Sequence, residues 1–365
     1  MKNTFGTNLS LTLFGESHGP YVGAVLDGLA PGLAVDEARI AAQLALRRPS
    51  GKISTARVEP DPFEIVSGVF HGKTTGTPLT ILIPNSRQHS ADYENAPRVA
   101  RPGHADYTAN VKYHGYEDYT GGGHFSGRLT APLVAAGGIL LPALEERGIC
   151  IGTHIARIGS AEDKAFSGTK EEVLRVNGMN FPVLDETAAA AMEAEILAAA
   201  EEGDSVGGIL ETEILGVPAG VGEPWFDTVE SMLAHALFGI PAVKGVEFGA
   251  GFGGVCGRGS GFNDALRAEG GRITTVTNHN GGVNGGITNG MPIVFRCGVK
   301  PTPSISKEQE SVDLTSGENA VLSVRGRHDP CIVHRAAVVV TSVAALVICD
   351  LLAGRFGTDL AGCGE

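Results

Sequence analysis

The sequence predicts a mixed α/β protein, and three observations carry that expectation. Short β-type runs alternate with long Ala/Leu-rich helical runs along the 365 residues. No stretch rich in proline, serine or charge separates two halves, so one integrated domain over residues 1–365 is favoured over the two that length alone suggests. The 52 glycines follow no collagen period and form no low-complexity block, which implies many tight turns and close backbone approaches.

In chain order, strands are expected at Leu9 to Phe14 and Val22 to Leu26. A helix follows from the N-cap Asp36 through Arg48, with Ile40, Ala41 and Leu44 on one face and Pro49 as its stop. Phe63 to Phe70 and Leu79 to Ile83 read as strands, and Leu129 to Arg147 as an apolar helix ended by Gly148. Ala161 to Asn180 is the most polar and least patterned stretch and reads as a surface excursion. Glu186 to Glu202, ended by Gly203, is helical; Ile209 to Leu215 is a strand; Asp227 to Leu237 is a helix. Strands at Val243 to Phe248, Pro292 to Val299 and Ala320 to Val324 precede a last apolar helix, Val333 to Ala353.

Charge and cysteine usage narrow the function classes. A formal net charge of -13 argues against wholesale binding to nucleic acid or an anionic membrane, although local arginine clusters can still hold anions. The six cysteines have no CxxC spacing, so reduced thiols in a cytoplasmic protein are expected, with no zinc site or disulfide framework. The N-terminal segment lacks a secretory h-region. The apolar run Ala336 to Cys349 falls short of the roughly 20 residues that cross a bilayer, so it is expected as a buried helix.

Histidines, arginines and glycines gather in four short signatures. These are Gly15-Glu16-Ser17-His18-Gly19, Arg101-Pro102-Gly103-His104-Ala105-Asp106, Gly121-Gly122-Gly123-His124-Phe125-Ser126-Gly127-Arg128 and Gly326-Arg327-His328-Asp329-Pro330. Singly, a histidine in such a turn is more often a solvated or capping residue than a catalyst. Together they mix groups that move protons near neutral pH, forks that grip anionic oxygens and backbone that approaches a ligand closely. That points to an enzyme for a phosphorylated, acidic small molecule. Arg47 and Arg48 at a helix C-terminus fit the macrodipole as well as a substrate role. Arg128 stands before a helix start that favours anions. Lys300-Pro301-Thr302-Pro303-Ser304 offers a cation and two hydroxyls at a strand end.

These segments together resemble the chorismate synthase family over nearly the whole chain. Further matches lie at Ser67 to Pro78, Val243 to Gly249 and Gly285-Gly286-Ile287-Thr288-Asn289-Gly290. The resemblance implies a β-α-β sandwich with helices packed between antiparallel sheets, assembled as a homotetramer. It implies anti-1,4-elimination of phosphate from 5-enolpyruvylshikimate 3-phosphate, with reduced FMN and no net redox change. NADPH is implied only if the protein reduces its own flavin, with contacts near Arg48 and Lys52. His18 is then assigned to the departing phosphate, His104 to the protonation state of the flavin, and Asp329 to proton removal at C6 near the flavin N5. Arg47, Arg48 and Arg128 are assigned to the substrate. His124, Phe125, Ser126, Pro241, Ala242, Gly285, Lys300, Pro301, Thr302, Pro303, Ser304 and Arg327 are assigned to the flavin.

The chain departs from the family pattern at several of these positions. His124, Phe125, Gly127 and Leu129 stand where Arg, Ser, Ala and Glu are common, Lys52 and Leu46 replace arginines, and Pro241 replaces asparagine. Flavin affinity is the property these changes are expected to alter. A non-catalytic flavin- or anion-binding relative is the rival from another class, and the presence of His18, His104, Arg128 and Asp329 speaks against it.

Overall fold

The computed structural model describes residues 2–49, 51, 53–54, 60–85, 98–324 and 329–361. The chain opens with β1 (Thr4–Phe5), β2 (Ser10–Gly15) and β3 (Tyr21–Asp27). Helix α1 (Glu37–Leu46) starts where expected, because the Asp36 carboxylate accepts the backbone N–H groups of Ala38 and Arg39. The strand expected over 63–70 is divided into β4 (Glu64–Ser67) and β5 (Val69–Phe70). A bulge between Ile65 and Ser67 and a left-handed Gly68 (φ 83°) turn the chain there. β6 (Lys73–Thr74), β7 (Leu79–Pro84), α2 (Asp106–Tyr113), α3 (Thr130–Glu145) and β8 (Cys150–Ile158) follow.

The expected surface excursion at 161–180 proves to be structured. It carries β9 (Ala161–Glu162) and α4 (Lys170–Val176), and α4 buries Val173 and Val176 as it packs on β8. Two apolar positions in a seven-residue helix are too few to register as a periodic pattern. Next come α5 (Glu186–Glu201), β10 (Gly208–Leu215), α6 (Val229–Leu237), β11 (Val243–Phe248), α7 (Gly251–Val255) and α8 (Gly259–Phe262). The chain ends with β12 (Leu266–Glu269), β13 (Arg272–Thr275), β14 (Val283–Asn284), β15 (Ile287–Thr288), β16 (Ile293–Val299), β17 (Gln309–Val312), β18 (Asn319–Leu322) and α9 (Val333–Phe356).

Two five-stranded antiparallel sheets, ordered β1-β2-β3-β7-β4 and β11-β16-β10-β8-β9, enclose the helices. Val22, Ala24 and Leu26 alternate inward on β3, as Leu79, Ile81 and Ile83 do on β7, which is the period of a half-buried strand. α3 packs on β3, β7 and β8, while α9 packs on β8 and β10 and against α3. α3 approaches both neighbours through adjacent glycines. A Cβ at Gly137 would overlap Ser342 of α9, and one at Gly138 would lie 2.8 Å from the Ile40 Cα of α1. The helical layer is therefore thin enough for the two sheets to share.

α9 is longer than the apolar run in the sequence suggests. At 24 residues and a mean hydropathy of 2.4 it meets the length and composition of a membrane span, as does the α3 segment. Length is thus the wrong argument; the decisive fact is that 83% of its most apolar window is buried inside the fold. On the second sheet a charged row crosses four strands in register: Glu247, Arg296, Glu211 and His154. Arg296 donates to Glu247 at 2.6 Å and to Glu211 at 3.2 Å, so these buried or half-buried charges satisfy one another.

Asp350 closes the fold from the last third of α9. Its buried carboxylate accepts backbone N–H groups from Thr7 (3.1 Å), Asn8 (2.7 Å) and Leu9 (2.9 Å), fixing the segment before β2. Asp350→Ala leaves three donors without their acceptor and is expected to cost about 3 kcal/mol. Urea unfolding of the variant checks this, and a loss under about 1 kcal/mol would show that water replaces the carboxylate there.

Candidate active site

The three-glycine turn at 121–123 joins the first and third signatures. All three glycines have positive φ (59°, 91° and 53°), a run that side-chain-bearing residues avoid. A Cβ at Gly121 would overlap the His18 ring, and one at Gly122 would lie 3.3 Å from His104 Nε2. The two histidines therefore flank successive glycines of one turn. The turn is tied to the end of β2: Ser17 N donates to Gly123 O at 3.1 Å, and His124 Nδ1 donates to Gly15 O at 2.8 Å. His124 thus commits one ring nitrogen to the scaffold. Phe125 lines a cleft with His104 and meets the edge of Tyr113, and Ser126 Oγ accepts Arg128 N.

His104 is held by a residue within its own signature. Its Nδ1 lies 2.6 Å from Asp106 Oδ1 and 3.0 Å from Arg101 Nη2; the shorter contact is to a carboxylate that only accepts, and Arg101 Nη2 has that same oxygen at 2.7 Å, so Nδ1 carries the proton and Nε2 faces the turn. Arg101 donates Nε to Asp106 Oδ2 at 2.8 Å and Nη2 to Oδ1 at 2.7 Å. Burial alone would raise Asp106, but hydrogen bonds from Arg101 and His104 outweigh it and hold the carboxyl far below the usual range.

The arginines meet on a residue absent from the sequence-level candidates, Asp61. Its carboxylate is fully buried, accepts from Arg128 Nη1 and from Arg47 Nη2 (3.2 Å), and lies 4.0 Å from Arg48 Nε. Arg48 also donates to Pro60 O. Burial brings Arg47 down to about 10 against the pull of Asp61, with Arg335 and Arg128 adding to the lowering. Arg128 donates further to Asn85 Oδ1 at 2.9 Å and Pro84 O at 3.1 Å. Asn85 in turn donates to Glu16 O at 3.0 Å and Gly19 O at 2.8 Å, returning to the turn that carries His18.

The other signatures attach to the same region. Lys300 donates its Nζ to Gly103 O, beside His104, and its backbone N to Ala242 O at 3.0 Å. Ala242, after Pro241, holds a left-handed φ of 74°. Pro301 lies against Gly207 and Pro303 against Gly103. Thr302 O accepts Ser205 Oγ at 2.7 Å, and the neighbouring Val206 N donates to Pro330 O at 2.8 Å, which brings in Asp329. Asp329 pairs with Arg335, whose Nε donates to Arg47 O at 2.8 Å. The contacts thus form a closed circuit from His18 through Gly121–Gly122, His104, Lys300–Thr302, Asp329, Arg47, Asp61, Arg128 and Asn85 back to His18. Ser304 follows in the same half-buried segment.

Gly285 is not part of that circuit. Its turn springs from the Ile293 end of β16, where Gly281 O accepts Val294 N, and is anchored by Val229 N on Gly286 O. Lys300 follows the opposite end of this strand, roughly 20 Å away. Arg327 and Lys52 lie outside the described residues.

Three buried donors of the circuit have no hydrogen-bond partner among the described residues: Arg47 Nε, Arg48 Nε and Thr302 Oγ1. Unpaired donors on both the arginine side and the 300–304 side suit an anionic substrate and a phosphate-bearing flavin, and the glycine turn offers bare backbone for close approach. The residues present fit both groups. Asp61, Asn85, Arg101, Asp106 and Arg335 escaped the sequence-level assignment. Arg101 and Asp106 were visible within a signature, whereas the others matter through contacts with distant parts of the chain.

The chorismate synthase family profile matches residues 9–353. The chain is 48% identical over 349 residues to the chorismate synthase of Korarchaeum cryptofilum, covering 95% of this chain and 96% of that protein. It is 49% identical over 350 residues to that of Pyrococcus abyssi, with 96% and 97% covered. A crystal structure of chorismate synthase, 29% identical, superposes with a TM-score of 0.76 over 97% of this chain and 94% of the other. With matching sequence along almost its whole length and a matching sheet–helix–sheet architecture, this chain belongs to the chorismate synthase family.

Proposed function

We propose that the circuit from His18 to Asn85 is the active site for the family's reaction. That reaction converts 5-enolpyruvylshikimate 3-phosphate to chorismate and inorganic phosphate, with a reduced flavin and no net redox change. It is a carbon–oxygen lyase reaction and the last common step of the shikimate pathway, and it is the activity this chain carries as a family member. The single observation that supports siting it here is the closed circuit. It joins the proton-handling residues to a cationic cluster within one region of an otherwise acidic protein.

In this reading Arg47, Arg48 and Arg128 receive the substrate's phosphate and carboxylates, for which forked, permanently charged donors are suited. His18, in its cationic form, stabilises the phosphate as the C–O bond breaks and its electron pair leaves with the oxygen. FMN is the flavin, held by Lys300, Pro301, Thr302, Pro303 and Ser304 with Phe125, Ser126, Pro241, Ala242 and Arg327; when bound and reduced it supplies the base for the C6 proton at N5. His104, oriented by Asp106, would set the proton balance of that group, and Asp329 would help it accept the C6 proton. His124 spends one nitrogen on Gly15 O, so only Nε2 remains for a ligand.

The wider assignments have support of the same kind. One helical layer packs on both sheets, which supports a single domain over residues 1–365. Trp225, Phe226 and Phe252 are 85%, 88% and 78% exposed, which supports self-association, read as a homotetramer. Free, buried Cys150, Cys297 and Cys331 support a cytoplasmic location. The acidic net charge supports the absence of nucleic-acid or membrane partners.

Alanine at His18 or at His104 tests the site. With chemically reduced FMN supplied anaerobically, each variant is expected to lose at least about 100-fold in turnover, the range of a positioned acid–base group. Wild-type turnover in either variant removes that histidine from the mechanism. NADPH in place of the chemical reductant tests whether the protein reduces its own flavin through Arg48 and Lys52. Chorismate formation without another reductase is the positive outcome.

A further inference from the structure

One carboxylate stands where three cations converge, and the family reaction gives it no role. Asp61 lies between Pro60 and Pro62 with a left-handed φ of 46° and no exposed side-chain surface. Arg128 Nη1 donates to one oxygen and Arg47 Nη2 to the other at 3.2 Å, while Arg48 Nε stands 4.0 Å from the second. A surface salt bridge needs one partner, yet here three guanidinium groups converge on one buried carboxylate. Two of the three also carry vacant donors: Arg47 Nε and Arg48 Nε are buried and make no hydrogen bond among the described residues. Arg47 is only 7% exposed. A cluster built this way is incomplete until an anion arrives, and without Asp61 its arginines would repel one another.

We propose that Asp61 is a positioning residue for substrate binding: it gathers Arg47, Arg48 and Arg128 into one anion receptor and stays in place while the substrate's anionic group docks on their outer N–H groups. Asp61 touches neither substrate nor flavin in this arrangement; it acts through the arginines. Its backbone conformation matters for the test. A left-handed φ is tolerated by asparagine and glycine but strained for alanine, so Asp61→Asn and Asp61→Gly remove the charge with the least disturbance.

The inference rests on the active-site reading above, and the test separates the two. In Asp61→Asn, KM for the phosphorylated substrate is expected to rise at least 10-fold with kcat within about 3-fold. The dissociation constant for inorganic phosphate, measured by calorimetry without flavin or turnover, is expected to rise in parallel. A purely structural residue would instead lower the folded fraction, cutting apparent kcat with KM unchanged. In Asp61→Gly, formate at tens of millimolar fills the vacated carboxylate position and is expected to bring KM back towards the wild-type value. If Asp61→Asn fails to fold, Asp61→Gly refolded with formate carries the test: its KM must rise as formate is dialysed away. A folded Asp61→Asn with wild-type KM and phosphate affinity overturns the proposal, as does a lowered KM, which would make Asp61 a competitor of the substrate. So does a KM in Asp61→Gly that is indifferent to formate. Wild-type protein that binds phosphate but forms no chorismate would count against the active-site reading and leave the phosphate comparison to decide on Asp61.

Discussion

Gly121→Ala is expected to lower turnover at least about 100-fold while the protein stays folded, because the new methyl group lands on the His18 ring. The neighbour that must move is a side chain, so the fold yields and the histidine is displaced. Gly123 is different: a Cβ there would run into the Asp118 backbone carbonyl, and substitution should damage the turn itself. Alanine at Gly121 also carries the strain of a left-handed φ, about 1 kcal/mol. Gly148→Ala supplies the control, since Gly148 has a φ of 78° and nothing within 4 Å of its Cβ position. Both variants should lose similar stability in urea, and only Gly121→Ala should lose activity. Equal activities would mean that His18 does not work from the position it holds against the turn.

Asp106→Asn is expected to have the next largest effect, on two measurements at once. The carboxylate accepts from His104 Nδ1 and from Arg101, and it fixes which ring nitrogen carries the proton. An amide can present its NH2 group instead and favour the opposite tautomer, so kcat is expected to fall at least about 100-fold. Stability follows from the depressed carboxyl. A group held below its unfolded value stabilises the protein at pH above about 4, and that contribution is lost as pH falls towards the folded value. Wild type should therefore lose stability on acidification below about pH 4, where the variant's curve is flatter. At pH 7 the variant should be less stable by about 3 kcal/mol, since Arg101 is left without its carboxylate. Parallel acid limbs for the two proteins would show that Asp106 is not the group responsible.

What could be read from the residues in advance depended on how local the signal was. The Asp36 cap, the strands β3 and β7, and the last apolar helix are written in neighbouring residues and appear as expected. The division of the 63–70 strand depends on pairing with β7, and the burial of α4 on packing against β8; neither is a property of the segment alone. The site divides in the same way. His18, His104 and Arg128 announce themselves by their glycine-rich surroundings, although nothing local says that the two histidines flank successive glycines of one turn. Asp61, Asn85 and Arg335 sit in ordinary sequence and gain meaning only through partners as remote as Arg47 and Arg335, 288 residues apart. Gly285, assigned by resemblance, lies off the opposite end of β16 from Lys300, which no sequence pattern could reveal.

The most direct measurement is an anaerobic single turnover of wild-type protein with FMN reduced beforehand and the phosphorylated substrate in slight deficit, following phosphate, chorismate and flavin absorbance together. Phosphate and chorismate should appear in equal amounts at one rate, and the flavin should end fully reduced. Flavin and substrate binding with no phosphate release, or phosphate release with oxidised flavin left behind, would contradict an elimination carried out at this site.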